Sequence, residues 1–428
     1  MHTFRIEGGI PLRGNITPSG NKNAALPLMA ACLLTDEAVT LHNIPDIGDT
    51  RTMRLLLEEI GVHVKVHDSH TWTLQAADVD NAAPDTALCR KIRASILLAG
   101  PMIARGRSIE LAPPGGDVIG RRRVDSHLLA LRALGARITY SDREFKLKAG
   151  KRLQGADVLL DEASVTATEN AIMASVLAEG KTTIRNAASE PHIQELCHFL
   201  NHLGASIDQI GSNTLHIQGV DKLHGGDFTI GSDYLEVMSF IGAAVVTGGD
   251  IHIHNAVPQH LNMARLVFKR LGVTWDVQGD DIYVPAEQHR HIETDLGGAI
   301  PQISVMPWPA FPTDLMSIAI VVATQCTGTV LFHDWMYETR MFFIDKLVGM
   351  GARIVLCDPH RCIVQGPNSL FGENLESPDI RAGLALTLAA LAAKGTSHIR
   401  NIGQIERGYE RIDEKLQTLG ARITREEA

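Results

Sequence analysis

Leu134-Gly135-Ala136-Arg137-Ile138 is one of six near-copies of a single phrase. The others are Ile60-Gly61-Val62-His63-Val64, Leu203-Gly204-Ala205-Ser206-Ile207, Leu271-Gly272-Val273-Thr274-Trp275, Met350-Gly351-Ala352-Arg353-Ile354 and Leu419-Gly420-Ala421-Arg422-Ile423. The glycines recur at intervals of about 70 residues, which marks an internal repeat. In each copy the apolar residue closes a helix, the glycine stands where a helix C-terminus favours one, and a strand begins.

Outward from the phrase, the grammar is constant. Ala- and Leu-rich segments such as Asn23–Leu34 and Glu169–Leu177 have helical spacing. A turn and a short alternating strand follow, as in Ala38–Leu41 and Lys181–Ile184. Next come a corner containing Asn43, Asn186, Asn255 or Asn401 and an amphipathic helix such as Thr50–Ile60. Helix, strand, helix, strand, six times over, predicts an α/β protein: a two-domain inside-out α/β barrel of six repeated units, three per domain, with shared helices inside and sheets outside. The expected domains are 1–20 plus 232–428, in which the N-terminal strand completes the last three repeats, and 21–231. The crossings near Ser19–Gly20 and Ile230–Ser232 are expected to act as a hinge. If the buried helices run parallel, their N-termini gather positive dipole ends that suit anions; repeats alone are equally compatible with a purely architectural role.

The 428 residues exceed one ordinary core, and 45% hydrophobic with 5% aromatic content points to aliphatic packing. A net charge of −9 argues against a general nucleic-acid binder. Cys32, Cys89, Cys197, Cys326, Cys357 and Cys362 form no CxxC pair and no metal-ligand cluster, so reduced thiols in the cytoplasm are expected. Phe4-Arg5-Ile6-Glu7-Gly8 reads as a strand and turn rather than a signal peptide. The apolar runs Met316–Ala323 and Leu384–Ala393 are too short to span a bilayer.

Within the 21–231 domain, the loop 113–125 reads Pro113-Pro114-Gly115-Gly116-Asp117-Val118-Ile119-Gly120-Arg121-Arg122-Arg123-Val124-Asp125. Glycine freedom and proline stiffness describe a loop carrying one acid and three guanidinium groups suited to phosphate or carboxylate. It reads either as a lid over a small anionic substrate or as turn chemistry beside a solvated arginine run. Lys22 falls in a first helical turn, where a cation opposes the macrodipole and an anionic ligand would supply a reason. Asp314, in Phe311-Pro312-Thr313-Asp314, begins a helix and on its own reads first as ordinary N-terminal charge chemistry. Arg93, Arg340, Arg381 and Arg407 lie at corners or helix starts of successive repeats.

These motifs, in this order, resemble the UDP-N-acetylglucosamine enolpyruvyl transferases from about Phe4 to Ile423. The matching stretches are Ser19-Gly20-Asn21-Lys22-Asn23-Ala24-Ala25-Leu26-Pro27, Arg93-Ala94-Ser95, Pro114-Gly115-Gly116-Asp117, Phe311-Pro312-Thr313-Asp314 and Glu406-Arg407-Gly408-Tyr409-Glu410-Arg411. The sister family that makes enolpyruvylshikimate phosphate expects Lys-Ser where this chain has Lys22-Asn23. The resemblance implies transfer of the enolpyruvyl group of phosphoenolpyruvate to the 3′-hydroxyl of UDP-N-acetylglucosamine, through a tetrahedral ketal that loses phosphate, with no metal or organic cofactor. By position it implies Asp117 as proton donor and Asp314 as base. Lys22, Arg93, Arg122, Arg340, Arg381 and Arg407 become the cations, and Asn23 touches the sugar. Arg122, Val124, Asp125, Ser164, Val165 and Thr166 line the uridine side, and Met336 joins the substrate contacts. No nucleic acid or membrane partner is implied, and a monomer or weak homo-oligomer is expected.

The chain departs from the family at three places. Asp117 replaces the cysteine that fosfomycin alkylates. Arg121-Arg122-Arg123 replaces an Ala-Arg-Pro run, which leaves open which arginine meets the substrate. Leu97 replaces a tryptophan found in many members. The Arg121–Arg123 run and Leu97 keep alive a different nucleotide or sugar acceptor. A non-catalytic, ligand-sensing paralogue is the other alternative, against which Lys22, Asp314 and Arg407 are all retained.

Overall fold

All six glycines of the repeated phrase adopt left-handed backbone, with φ from 76° at Gly272 to 101° at Gly351. The computed structural model describes residues 2–117, 119–141 and 143–427. Each glycine stands one residue past a helix cap, and its N–H bonds back to the carbonyl three residues earlier, as Gly61 does to Glu58 at 3.1 Å and Gly420 to Gln417 at 2.9 Å. The next residue reaches further back, as Val62 N–H does to Leu57 O at 3.0 Å. This pattern satisfies carbonyls that the helix leaves open and turns the chain sharply into a strand. The corner asparagines Asn43, Asn186, Asn255 and Asn401 are left-handed as well. Three of them tie down a neighbouring segment: Asn43 Nδ2 donates to Ile230 O at 2.8 Å, and Asn186 and Asn401 donate to Leu160 O and Ser377 O at 3.0 Å.

Among the described residues six small sheets result. Five have four strands, with one parallel pair followed by two antiparallel pairs. The sixth, Ser108–Leu111, Phe145–Ala149 and Ala136–Tyr140, has three. Its parallel neighbour is reduced to one bridge between Ala82 and Ile109. There the Asn81 side chain accepts from Ser108 N–H at 2.8 Å, taking a donor that a longer ladder would use, and Pro84 follows closely.

The chain divides into two units: Met1–Ser19, Val118–Arg121 and Ser232–Ala428 form one, and Gly20–Asp117 with Arg122–Gly231 form the second. In the first, helices Tyr234–Thr247, Met316–Ala323 and Ile380–Ala392 pack against one another at the centre. Every residue from Met316 to Ala323 is buried, as a helix surrounded by other elements requires. The N-terminal strands enter this unit's sheets: His2–Glu7 pairs with Thr396–Arg400 and Arg422–Glu427, and Arg13–Ile16 with Asp250–Ile253. In the second unit, Lys22–Ala31, the 3₁₀ segment Arg93–Leu98 running into Ala99–Ala104, and Val165–Ser175 take the central place. Gly100 lets two of these approach closely; its N–H donates to Asn170 Oδ1 at 2.8 Å, and a Cβ would lie 2.7 Å from that oxygen. Among the described residues no helix is long and apolar enough to cross a membrane. All six cysteines are free, and only Cys357 is exposed.

Candidate active site

In the unit containing residues 232–428, the extended Pro312 leads into the 3₁₀ turn Thr313–Leu315 at the head of helix Met316–Ala323. That turn presents Asp314 to two guanidinium groups. Arg340 Nη2 donates to Oδ1 at 2.7 Å, and Arg381 Nε donates to Oδ2 at 3.3 Å. The arginine side chains are 2% and 6% exposed, against 29% for Asp314. Burial by itself would weaken Arg381 as a base; Tyr409 and then Asp314 outweigh it, and the group stays charged. The same balance holds for Arg340, with Asp314 and then Asp379 as the compensating groups. Asp379 caps helix Ile380–Ala392 by accepting from the N–H groups of Arg381 and Ala382, at 2.8 and 2.9 Å, and lies 3.8 Å from Arg340 Nη1. Tyr409 is 1% exposed; its hydroxyl accepts from Arg381 Nη1 at 2.9 Å and its ring lies 5.2 Å from the guanidinium carbon. The buried Asp334 accepts from Thr313 Oγ1 and from Met336 N–H, bracing the turn that carries Asp314. Arg407 ends the 3₁₀ segment Ile402–Arg407 and donates to Gln404 Oε1 at 3.0 Å.

In the other unit Lys22 opens helix Lys22–Ala31 behind the Asn21 cap, with Asn23 half-buried beside it. The cation at this dipole end has a protein counter-ion: Lys22 Nζ is 2.7 Å from Asp49 Oδ2, with side-chain exposures of 10% and 5%. Asp49 in turn lies in the first turn of Gly48–Glu59, where an acid is favoured. An anionic ligand is therefore not needed to account for the lysine's position. Arg93 Nη2 donates to the carbonyl of Arg123 at 2.7 Å. The loop lies against this segment. A Cβ at Gly115 would be 1.6 Å from Arg90 O, and one at Gly116, where φ is 100°, would be 3.0 Å from Arg93 Cβ and 3.5 Å from Arg122 Nη1. Both glycines are needed by that approach. Asp117 follows, half-buried.

The three arginines separate. Arg123 is committed to acids, with Nη2 2.7 Å from Asp161 and Nε 3.3 Å from Asp125. Arg121 uses its backbone N–H, which donates to the Glu338 carboxylate at 3.0 Å. Half-buried Arg122 makes no hydrogen bond or ion pair with another described residue. Val124 precedes helix Asp125–Ala133 and packs at the edge of the core, as Val165 does at the start of Val165–Ser175. Ser164 caps that helix through Ala167 N–H at 3.5 Å, and Thr166 Oγ1 is 3.0 Å from His127 Nε2. Met336 packs against the core of its own unit. Asp49, Asp379, Tyr409 and His127 were not singled out from the sequence. Asp379, one residue before a helix, and Asp49, in a helix first turn, carry local signals; His127 carries none.

The EPSP synthase (3-phosphoshikimate 1-carboxyvinyltransferase) family matches residues 6–416. The UDP-N-acetylglucosamine 1-carboxyvinyltransferase of Treponema denticola is 53% identical over 423 residues, 99% of each chain. That of Treponema pallidum is 54% identical over 426 residues, 100% of each, and that of Bradyrhizobium diazoefficiens 54% over 423 residues, 99% of this chain and 97% of its own. Among solved structures, the enolpyruvyl transferase NikO from Streptomyces tendae superposes with a TM-score of 0.86 at 24% identity, covering 100% of this chain and 99% of its own. An EPSP synthase from Acinetobacter baumannii gives 0.75 at 16%, covering 100% of both. These two likenesses concern the fold.

Proposed function

This chain belongs to the enolpyruvyl transferase family, among its UDP-N-acetylglucosamine 1-carboxyvinyltransferases, and we propose that it transfers the enolpyruvyl group of phosphoenolpyruvate to UDP-N-acetylglucosamine in the cytoplasm, for peptidoglycan synthesis. The observation that carries the chemistry is the Asp314 carboxylate held between Arg340 and Arg381. A carboxylate so fixed is suited to take the proton of the 3′-hydroxyl as its oxygen attacks C2 of phosphoenolpyruvate. Asp117 delivers a proton to the methylene carbon, giving a tetrahedral ketal. Loss of a proton from the new methyl group then restores the double bond as the bond from C2 to the phosphate oxygen breaks and phosphate leaves.

Phosphoenolpyruvate carries a phosphate and a carboxylate, and we assign them to Lys22, Arg93, Arg122, Arg381 and Arg407. Arg122 is preferred over Arg123, which is neutralised by Asp125 and Asp161, and over Arg121, which is exposed where Arg122 is half-buried. Arg340, buried behind Asp314, is assigned to holding that base in place. Asn23 contacts the sugar, Val124, Asp125, Ser164, Val165 and Thr166 the nucleotide, and Met336 the substrate edge. Identities above 50% to relatives named for UDP-N-acetylglucosamine favour that acceptor over another nucleotide or sugar. A turnover in deuterium oxide tests the mechanism: addition and elimination place deuterium in the product's vinyl methylene, and a product free of deuterium there contradicts it.

A further inference from the structure

Beneath Thr166 runs a chain of hydrogen bonds whose polarity is readable from its fixed end. Asn170, fully buried, accepts from Gly100 N–H through Oδ1 at 2.8 Å and donates through Nδ2 to the Ile96 carbonyl at 2.9 Å. A backbone N–H only donates and a carbonyl only accepts, so these two bonds decide which end of the amide is oxygen. The second hydrogen on Nδ2 then points to His127 Nδ1, 2.9 Å away. Nδ1 is therefore the acceptor, and the neutral imidazole carries its proton on Nε2. That proton is donated to Thr166 Oγ1 at 3.0 Å. His127 is 1% exposed; burial, and then the neighbouring Arg93 guanidinium, hold its pKa down at about 3, so the ring stays neutral.

The Thr166 hydroxyl is thus an acceptor toward the protein, and it donates to no other described residue. Thr166 is half-buried, leaving its hydroxyl proton to point outward. We propose that His127 is a positioning residue which, by occupying a lone pair of Thr166 Oγ1, makes that hydroxyl a hydrogen-bond donor to a phosphate oxygen of the nucleotide substrate. The proposal rests on the reading of Ser164, Val165 and Thr166 as nucleotide contacts. An anionic oxygen suits the place because Arg93 makes the local field positive. Only Thr166 touches the ligand; His127 and Asn170 act through it.

Two measurements test this. Nitrogen-15 spectra of the wild-type protein, with His127 identified by the signal that moves in Thr166→Val, are expected to show a protonated Nε2 and a bare Nδ1, unchanged between about pH 5.5 and about pH 8. A protonated Nδ1 or a charged ring overturns the proposal. In steady-state kinetics, Thr166→Val raises KM for UDP-N-acetylglucosamine about tenfold or more, the loss expected for a hydrogen bond to a charged group, and Thr166→Ser restores it. The loss falls on that KM rather than on kcat or on KM for phosphoenolpyruvate. Uridine diphosphate binding by calorimetry separates the failures. If wild type binds and Thr166→Val binds equally well, the relay is wrong; if wild type neither binds nor turns over, the nucleotide reading fails and the relay falls with it.

Discussion

Asp314 Oδ1 accepts from Arg340 Nη2 at 2.7 Å, and the arginine that makes this bond is 2% exposed. Removing a buried guanidinium that faces two acids is costly, because the buried Asp379 carboxylate keeps its charge with little water to turn to. Arg340→Ala is expected to cost about 3 kcal/mol or more of stability, read by chemical unfolding. Asp314→Asn keeps a polar group of the same shape, and its kcat is expected to fall by about a hundredfold or more. An Asp314→Asn protein with undiminished kcat would remove Asp314 as the base.

Arg122 and Arg123 are adjacent in sequence and differ in what they hold. Arg122→Ala is expected to lower kcat/KM for phosphoenolpyruvate by about a hundredfold, as loss of a charge-assisted contact to a reacting anion does. Arg123→Ala breaks exposed pairs with Asp125 and Asp161. It is expected to change stability by no more than about 1 kcal/mol and kcat/KM by only a few-fold. The reverse ranking would transfer the ligand role to Arg123.

Asp117 bears on inhibition. A carboxylic acid delivers a proton but is a far poorer nucleophile than a thiolate toward the epoxide of fosfomycin. The wild-type enzyme is expected to resist the drug, and Asp117→Cys to be inactivated by it with a covalent adduct visible by mass spectrometry. An active Cys variant that fosfomycin leaves unlabelled would contradict this.

Glu169 links the fold to pH. Burial, and then the nearby Glu190, push its pKa well above the ordinary carboxyl range. A raised carboxyl pKa means the folded state holds the proton more tightly than the unfolded chain. Its contribution is therefore full below about pH 4.5 and is lost as pH rises through the folded value, at about 1.4 kcal/mol per pH unit in that window. Glu169→Gln is expected to gain stability over wild type as pH is raised from about 5 to about 8, measured by unfolding midpoints. A difference that does not change with pH would show that Glu169 does not titrate in this way.

The repeated glycines test the reading of the fold. A Cβ at Gly135 would meet nothing within 4 Å, so Gly135→Ala isolates the cost of the left-handed backbone at φ 97°. A loss of about 1 kcal/mol is expected, against almost none for alanine at an exposed position of the preceding helix.

The six-fold repeat was legible because a helix end that turns left-handed places its demand on a single residue type, so the glycines of the Leu-Gly phrase stand out in the sequence. The asparagine corners were legible for the same reason. Side-chain partnerships were not. Lys22 finds Asp49 on the next helix, Arg123 finds Asp161, and Arg381 finds Tyr409; none of these separations has a period that sequence can display. The dipole argument at Lys22 was physically sound, yet a protein carboxylate answers it. The second repeat lost its parallel strand to a side-chain bond at Asn81, a local competition that alternation does not reveal. The open choice among Arg121, Arg122 and Arg123 narrowed only when the acids around each were in view.

The most direct test is phosphate release from phosphoenolpyruvate by the wild-type protein, with and without UDP-N-acetylglucosamine. Release that requires the sugar nucleotide, matched mole for mole by enolpyruvyl product, is the predicted result. No release above the acceptor-free control, from folded protein that binds phosphoenolpyruvate, would contradict the proposed reaction.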